Sequence, residues 1–438
     1  MVRQSLLLSI LVLPAAVGCG DTQPAEPPAQ KIEQPLLDDL IDGLPNNFPM
    51  LNGAGTAATY STTGGLDFTN ELHTPQGTNG RHCGSCHFAE SGWTVRPWLV
   101  ELLFLTSNGT HPIFNPLDAN NPAADFSTPG ARRSAYSMLL KGLFRRSATI
   151  SATAEFEVVA AEDPHGLGTL ARPSFFRRPL PTMNFHLGIT NGWDGRNTVV
   201  GDVHAGLVAQ AAGNITGAQQ GIPPANPVIV EAIVDYEEAL SFAQQTTFGA
   251  GRLDACGARG GPQNLSAQTF VAGRFNLFDA WMNLSPGACG GHFVNPKRAQ
   301  IARGQELFNT ALSASGRTCL SCHNAENSGT NFNGILFNVG ASDAIHRTPD
   351  MPIYSLRNKV TGEIIQTTDA GRGFTTGKWA DVNRFKTPTL RGLAARAPYF
   401  HNGIAKSLPD LVRFYETSLG FAFTDAQEDD LVAFMNAL

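Results

Sequence analysis

The sequence predicts a mainly α fold of two domains with long loops. Three observations carry that prediction. The run Cys83-Gly84-Ser85-Cys86-His87 recurs in kind as Cys319-Leu320-Ser321-Cys322-His323. The segment 299–311, just ahead of the second run, places Ile301, Leu307 and Phe308 at helical spacing, with Leu312 continuing the stripe. The chain closes on Thr424-x-x-Gln427, a capping box, followed by a second apolar stripe of Leu431, Val432, Phe434, Met435 and Leu438. These two helices are expected to cross beside the second run. The 45 Gly and 28 Pro favour long loops between short elements.

In chain order, the first 19 residues read as a leader. Arg3 supplies a positive start, and Leu6 to Val12 form an apolar core too short to span a bilayer. Ala15-Ala16-Val17-Gly18-Cys19 then places small residues ahead of a cysteine, the pattern of a bacterial lipoprotein signal lipidated at Cys19. The expectation is a periplasmic protein anchored to the outer membrane by lipid at Cys19 and touching the membrane in no other way. Residues 20–45, rich in Pro, Gln, Glu and Asp, read as a flexible tether. An N-terminal domain with an insertion is expected over 46–295, and a C-terminal domain over 296–438, each carrying one of the two runs.

The formal net charge of −6 argues against nucleic acid or an anionic lipid surface as a partner, since both select a basic face. Of the seven cysteines, Cys19 belongs to the leader and four to the two runs. Cys256 and Cys289 remain and, by elimination, are expected to pair in an oxidising compartment.

C-x-x-C-H is the spacing of covalent haem attachment. Two thiols add to the two vinyl groups of one porphyrin, and the adjacent His lies beneath the iron. Zinc would need four clustered ligands, whereas these runs are far apart in the chain. Two haems c are therefore expected. One is held by Cys83 and Cys86 with His87 on iron, the other by Cys319 and Cys322 with His323 on iron.

Further residues resemble a known family. Phe385-Lys386-Thr387-Pro388-Thr389-Leu390-Arg391, then Ala397-Pro398-Tyr399-Phe400-His401-Asn402-Gly403, look like the C-terminal hallmark of the bacterial di-haem cytochrome c peroxidase and MauG superfamily. Pro181-Thr182-Met183-Asn184 and Trp193-Asp194-Gly195-Arg196 resemble its inter-haem segment. The resemblance implies two cytochrome c-like domains, each binding one haem, with Trp193 between them as an electron relay. It also implies that Tyr415, fourteen residues after His401 on a helix capped by Ser407, is the sixth ligand of the second haem, as in MauG-type members. Peroxidases of the family carry Met there, and Met351 and Met435 are the methionines after His323. Leu103 stands where relatives place a distal His, so the first haem is expected to be open unless His111, His165, His186 or His204 reaches it.

The match also departs from the family. The stretch from His87 to Trp193 is long, and 115–146 and 155–173 are expected to wrap the first haem and shape a substrate entrance. The family's peroxidatic Gln and Glu fall on Gln210 and Gln220, so the carboxyl is missing. An amide does not shuttle protons. Glu157, Glu162 or Asp163 are the substitutes the insertion offers. The family's calcium uses an Asn side chain where this chain has Pro179; a carbonyl of Pro398 remains, and calcium is expected less here than in relatives.

Three functions follow as expectations. The first is an oxidoreductase that reacts with hydrogen peroxide at the first haem and takes electrons from a small redox protein or an oxidisable substrate. The second is a haem oxygenase of the rubber-oxygenase type, using dioxygen. The third is a di-haem electron-transfer cytochrome.

Overall fold

The computed structural model describes residues 42–438. The leader over 1–19, the anchor at Cys19 and nearly all of the expected tether lie outside the described residues. The end of that tether is a strand. Gly43–Pro45 pairs antiparallel with Gly65–Asp67, which buries Leu44.

Among the described residues are nine α-helices, thirteen short strands and twelve single 3-10 turns, joined by long loops. The strands form five small sheets that the sequence did not announce. The largest runs in the order Met50–Asn52, Gly55–Ser61, Leu240–Thr247 and Gly251–Arg252, all antiparallel. No helix among the described residues is long and apolar enough to cross a membrane.

The first cluster of buried side chains forms around Trp93. Helix Val203–Thr216 contributes Leu207, Ala211 and Ile215, and helix Pro227–Ala239 contributes Val230, Ile233 and Val234. Asp202 and Asn226 cap these helices by accepting from the N–H groups of Ala205 and Val228. A neighbouring cluster surrounds helix Pro97–Ser107, whose Leu99, Val100, Leu103 and Phe104 face inward.

The cluster around the second run is built on helix Asn295–Thr310, which starts four residues before the expected stripe because Pro296 opens its first turn. Ile301 and Phe308 are buried. Leu312 is not: it lies beyond the helix end and is 66% exposed. The last helix, Asp425–Asn436, carries the expected capping box. Gln427 N–H donates to Thr424 Oγ1 at 3.4 Å, and Thr424 N–H donates to Gln427 Oε1 at 2.9 Å. The two helices cross where Gly304 lies against the carbonyl of Asp430; a Cβ at Gly304 would overlap that carbonyl. Ala250, Leu253, Phe275, Phe278 and Trp281 share this cluster, so its packing draws on residues well before 296.

The insertion divides in two. Asp118, Phe144 and Arg146 face the first site. Strand Phe156–Glu162 instead pairs with Ile353–Asn358 in the second half of the chain. Cys256 and Cys289 form a disulfide, with Cα atoms 6.1 Å apart.

Candidate functional site

The two C-x-x-C-H runs fold into the same local structure. Each begins as a 3-10 turn, Cys83–Ser85 and Cys319–Ser321. The Ser at the third position accepts from the N–H just before the turn: His82 N–H to Ser85 Oγ at 3.2 Å, and Thr318 N–H to Ser321 Oγ at 3.1 Å. The histidine N–H then closes on the first cysteine carbonyl, at 3.1 Å for His87 and 3.0 Å for His323. Each imidazole is aimed by a carbonyl six residues on. His87 Nδ1 lies 2.9 Å from Trp93 O, and His323 Nδ1 lies 2.6 Å from Gly329 O. With Nδ1–H donating to a carbonyl, Nε2 is left with its lone pair free for a metal. Desolvation holds both rings neutral, lowering each to about 4. It also raises all four thiols, Cys86 to about 11 and Cys319 to about 12. No disulfide joins any of these four cysteines. A pair of unoxidised thiols beside a carbonyl-aimed imidazole fits covalent haem.

Each turn faces its own cavity. The first cavity is lined by Cys83, Cys86, His87, Gln210, Gln219 and Glu237, among others. The second is lined by Cys319, Cys322, His323, Tyr415, His401 and Met435, among others. Tyr415 sits on helix Leu408–Leu419, whose N-terminus Ser407 caps as expected, its Oγ accepting from the Asp410 N–H at 3.3 Å. Burial, with Cys322 and Cys319 nearby, raises its phenol far above the usual range. Met351 packs with Met138, Leu143 and Phe176 and does not line the second cavity.

Trp193 lines both cavities, together with Arg178, Pro179, Leu180, Pro181 and Lys386. Its indole Nε1–H donates to Arg178 O at 2.8 Å, and its carbonyl accepts from Lys386 N–H at 2.8 Å. His401 meets it edge-on, with ring centroids 6.1 Å apart, and stacks on Phe385 on its other side. Beneath Trp193 lies a buried charge network. Arg177 donates to Asp369 and Asp194 at 2.6 and 2.7 Å, and Arg196 also binds Asp194. The Asp of the Trp-Asp-Gly-Arg run thus ties that run to Arg177 and, through it, to Asp369.

Two sequence expectations need correction. Gln220 does not face the first cavity. Helix Val203–Thr216 ends before it and the chain turns at Gly217, leaving Gln220 exposed with φ +57°. Gln219 takes the position instead, its Oε1 accepting from Gln76 N–H at 2.9 Å and its Nε2 lying 3.7 Å from Cys83 Sγ. Nor do the three insertion carboxylates expected to substitute, Glu157, Glu162 and Asp163, line the cavity. Glu157 and Glu162 pair with Arg357 and Arg347 in and beside the strand pairing, and Asp163 accepts backbone N–H groups of its own loop. His111, His165, His186 and His204 do not line the first cavity either; among the described residues its histidines are His82 and His87.

Three carboxyls line the first cavity among the described residues: Asp118 and Asp194, both held in ion pairs with arginines, and Glu237, which is 5% exposed and has no arginine partner among the ion pairs. Burial, with Glu238 adding to it, raises the Glu237 carboxyl to about 8, so it holds its proton at neutral pH. A signal for it was present in the sequence. Glu237 follows Val230, Ile233 and Val234 on the apolar face of its helix, where a carboxyl is out of place.

The calcium implied by resemblance does not fit. Pro398 O and Arg396 O both accept from Arg178 Nη1, the latter at 2.7 Å. A guanidinium already sits where the carbonyls converge, and its charge repels a second cation.

The paired C-x-x-C-H turns and the wall between them fit a protein that binds haem. Curated relatives agree. Cytochrome-c peroxidase IdrP2 of Denitromonas iodatirespirans is 30% identical over 133 residues, 27% of this chain and 35% of that protein. The cytochrome c551 peroxidase of Nitrosomonas europaea is 40% identical over 70 residues, 16% of this chain and 21% of that protein. The chain thus matches these relatives over about a third of their length or less. No family model matches. A solved MauG-like protein associated with microbial copper homeostasis aligns at 15% identity, covering 60% of this chain and 73% of that one, with a TM-score of 0.34, too low an overlap to argue from. With the two haem turns, the sequence matches support the resemblance to the bacterial di-haem cytochrome c peroxidase and MauG superfamily.

Proposed function

We propose that the protein is a periplasmic di-haem oxidoreductase that reduces hydrogen peroxide at the first site with electrons passed from the second through Trp193. The observation that carries this reading is the shared wall, in which one indole borders both cavities. The overall step is balanced by one peroxide, two electrons and two protons giving two waters. The electrons come from a small redox protein or from an oxidisable side chain or substrate, the latter being the MauG-like outcome.

Cys83, Cys86 and His87 would hold the first haem, and Cys319, Cys322, His323 and Tyr415 the second. Bound there, the haems supply redox-active iron. The chain's own residues supply the rest. Protonated Glu237 offers a proton to the departing oxygen, and Gln210 and Gln219 orient peroxide by hydrogen bonds. The oxygenase reading calls for an apolar channel, whereas this wall carries Gln210, Asn214, Gln219 and Glu237. Leu103 is buried in the cluster around its own helix and does not line the cavity. The histidines that line the first cavity among the described residues are His82 and His87.

The test is rapid mixing of the diferric protein with one equivalent of hydrogen peroxide. The Soret band should shift within seconds as a high-spin ferric EPR signal disappears. An unchanged spectrum in a sample that has the high-spin signal ends the peroxide reading. The ligand assignment has its own test. Tyr415→Met should raise the potential of the second haem by an amount on the order of tenths of a volt, because thioether favours reduced iron and phenolate favours oxidised iron. A potential equal to that of the parent protein would remove Tyr415 from the coordination shell.

A further inference from the structure

We propose that the Arg178 guanidinium is a built-in cation that fastens the walls of the two sites together and aims Trp193, in the place a divalent metal ion would otherwise take. Five contacts made by this one residue carry the proposal. Nη1 donates to Arg396 O at 2.7 Å and to Pro398 O. Nη2 donates to Val95 O at 2.6 Å. The backbone N–H donates to His401 O at 2.6 Å, and the backbone carbonyl accepts from Trp193 Nε1 at 2.8 Å.

These partners come from three separate parts of the chain. Val95 follows the loop whose Trp93 carbonyl aims His87. Arg396, Pro398 and His401 line the wall of the second cavity. Trp193 borders both. Arg178 is 6% exposed. Burial, with Arg396 beside it, lowers the guanidinium to about 9, which leaves it charged at neutral pH.

The chemistry resembles that of a bound ion. Carbonyl oxygens that converge from separate loops are the ligands a hard cation takes. A guanidinium satisfies them with charge-assisted hydrogen bonds in a fixed plane. Unlike an ion, it cannot dissociate or be chelated. Arg178 is thus a positioning residue, acting on the indole through its own carbonyl, and the arrangement it enforces is permanent.

The proposal rests on haem occupying both cavities and not on peroxide chemistry. Its readouts are binding heat and electron equilibration, so a protein inert to peroxide would still test it. The holoprotein should give no heat on calorimetric titration with Ca²⁺, and EGTA should leave its absorption and EPR spectra unchanged. Arg178→Ala, with both haems confirmed, should slow electron equilibration between the haems about tenfold or more, since small misplacements of a relay are costly. Ca²⁺ should now bind the vacated carbonyls and restore part of the rate. Arg178→Lys, which keeps the charge but cannot span three carbonyls, should fall between Ala and the parent. Stoichiometric Ca²⁺ binding by the parent protein, or a spectral response to EGTA, would overturn the proposal. So would a parental equilibration rate in Arg178→Ala. If that variant fails to assemble, the calcium titration of the parent and a parental rate in Arg178→Lys remain able to refute it.

Discussion

Glu237→Gln lowers the rate of the peroxide reaction by about a hundredfold or more, while both haems stay bound. The substitution keeps volume and hydrogen-bonding shape but removes the acid proton. General acid–base assistance is worth about 10²–10⁴-fold in rate, which sets the scale. The geometry behind it is simple: Glu237 is buried and lines the same cavity as Cys83 and His87. Glu157, Glu162 and Asp163 do not line that cavity, and the insertion's Asp118, which does, is paired with Arg81 and Arg146. The measurement is the second-order rate constant by stopped flow, with the resting spectrum as a control for haem environment. An unchanged rate constant would show that the proton comes from elsewhere, and Glu237 would revert to an uncharged filler of an apolar helix face.

Arg177→Met is expected to have the largest effect on stability. Arg177 is the buried partner of two carboxylates, Asp194 at 0% exposure and Asp369 at 1%. Removing it leaves Asp369 without its bidentate partner and Asp194 with only Arg196, which reaches it from the surface. Breaking a buried ion pair from one side costs about 3–5 kcal/mol. Denaturant unfolding of the holoprotein measures this, and a loss below about 1 kcal/mol would mean that the carboxylates take up protons or water cheaply. The acid side gives a second check. Burial alone would raise the Asp194 carboxyl, but Arg196 and Arg177 hold it far below the usual range. A depressed carboxyl contributes stability above its unfolded value of about 3.9 and loses it as pH falls through the folded value. The parent should therefore lose stability steeply in strong acid, and Arg177→Met should show a flatter acid limb.

What the sequence revealed depended on how far apart the cooperating residues lie. Each haem turn is a contiguous run, closed by its own serine and by a carbonyl six residues on, so the pattern of residues and the folded structure coincide. The caps at Ser407 and Thr424 were legible for the same reason. Trp193 was found through the Trp-Asp-Gly-Arg run, whose Asp194 ties that run to Arg177. Gln220 shows the opposite case: counting ten residues on from Gln210 assumes a continuing helix, and the turn at Gly217 shifts the inward side chain to Gln219. Glu237 was missed because a missing carboxyl was sought in the insertion, whereas a different helix supplies it. The pairing of Phe156–Glu162 with Ile353–Asn358, that of Gly55–Ser61 with Leu240–Thr247, and the three carbonyls gathered by Arg178 join segments far apart in the chain, and no local pattern marks them.

The pairing of Phe156–Glu162 with Ile353–Asn358 bears on the order in which the molecule is assembled. The insertion that borders the first haem is hydrogen-bonded to a strand near the far end of the chain, and Arg178 waits on carbonyls at 396 and 398. Closing loops this long delays the contacts that depend on them. The walls of the first cavity are therefore completed by segments from the second half of the chain. The first site, although encoded earlier, matures together with the second.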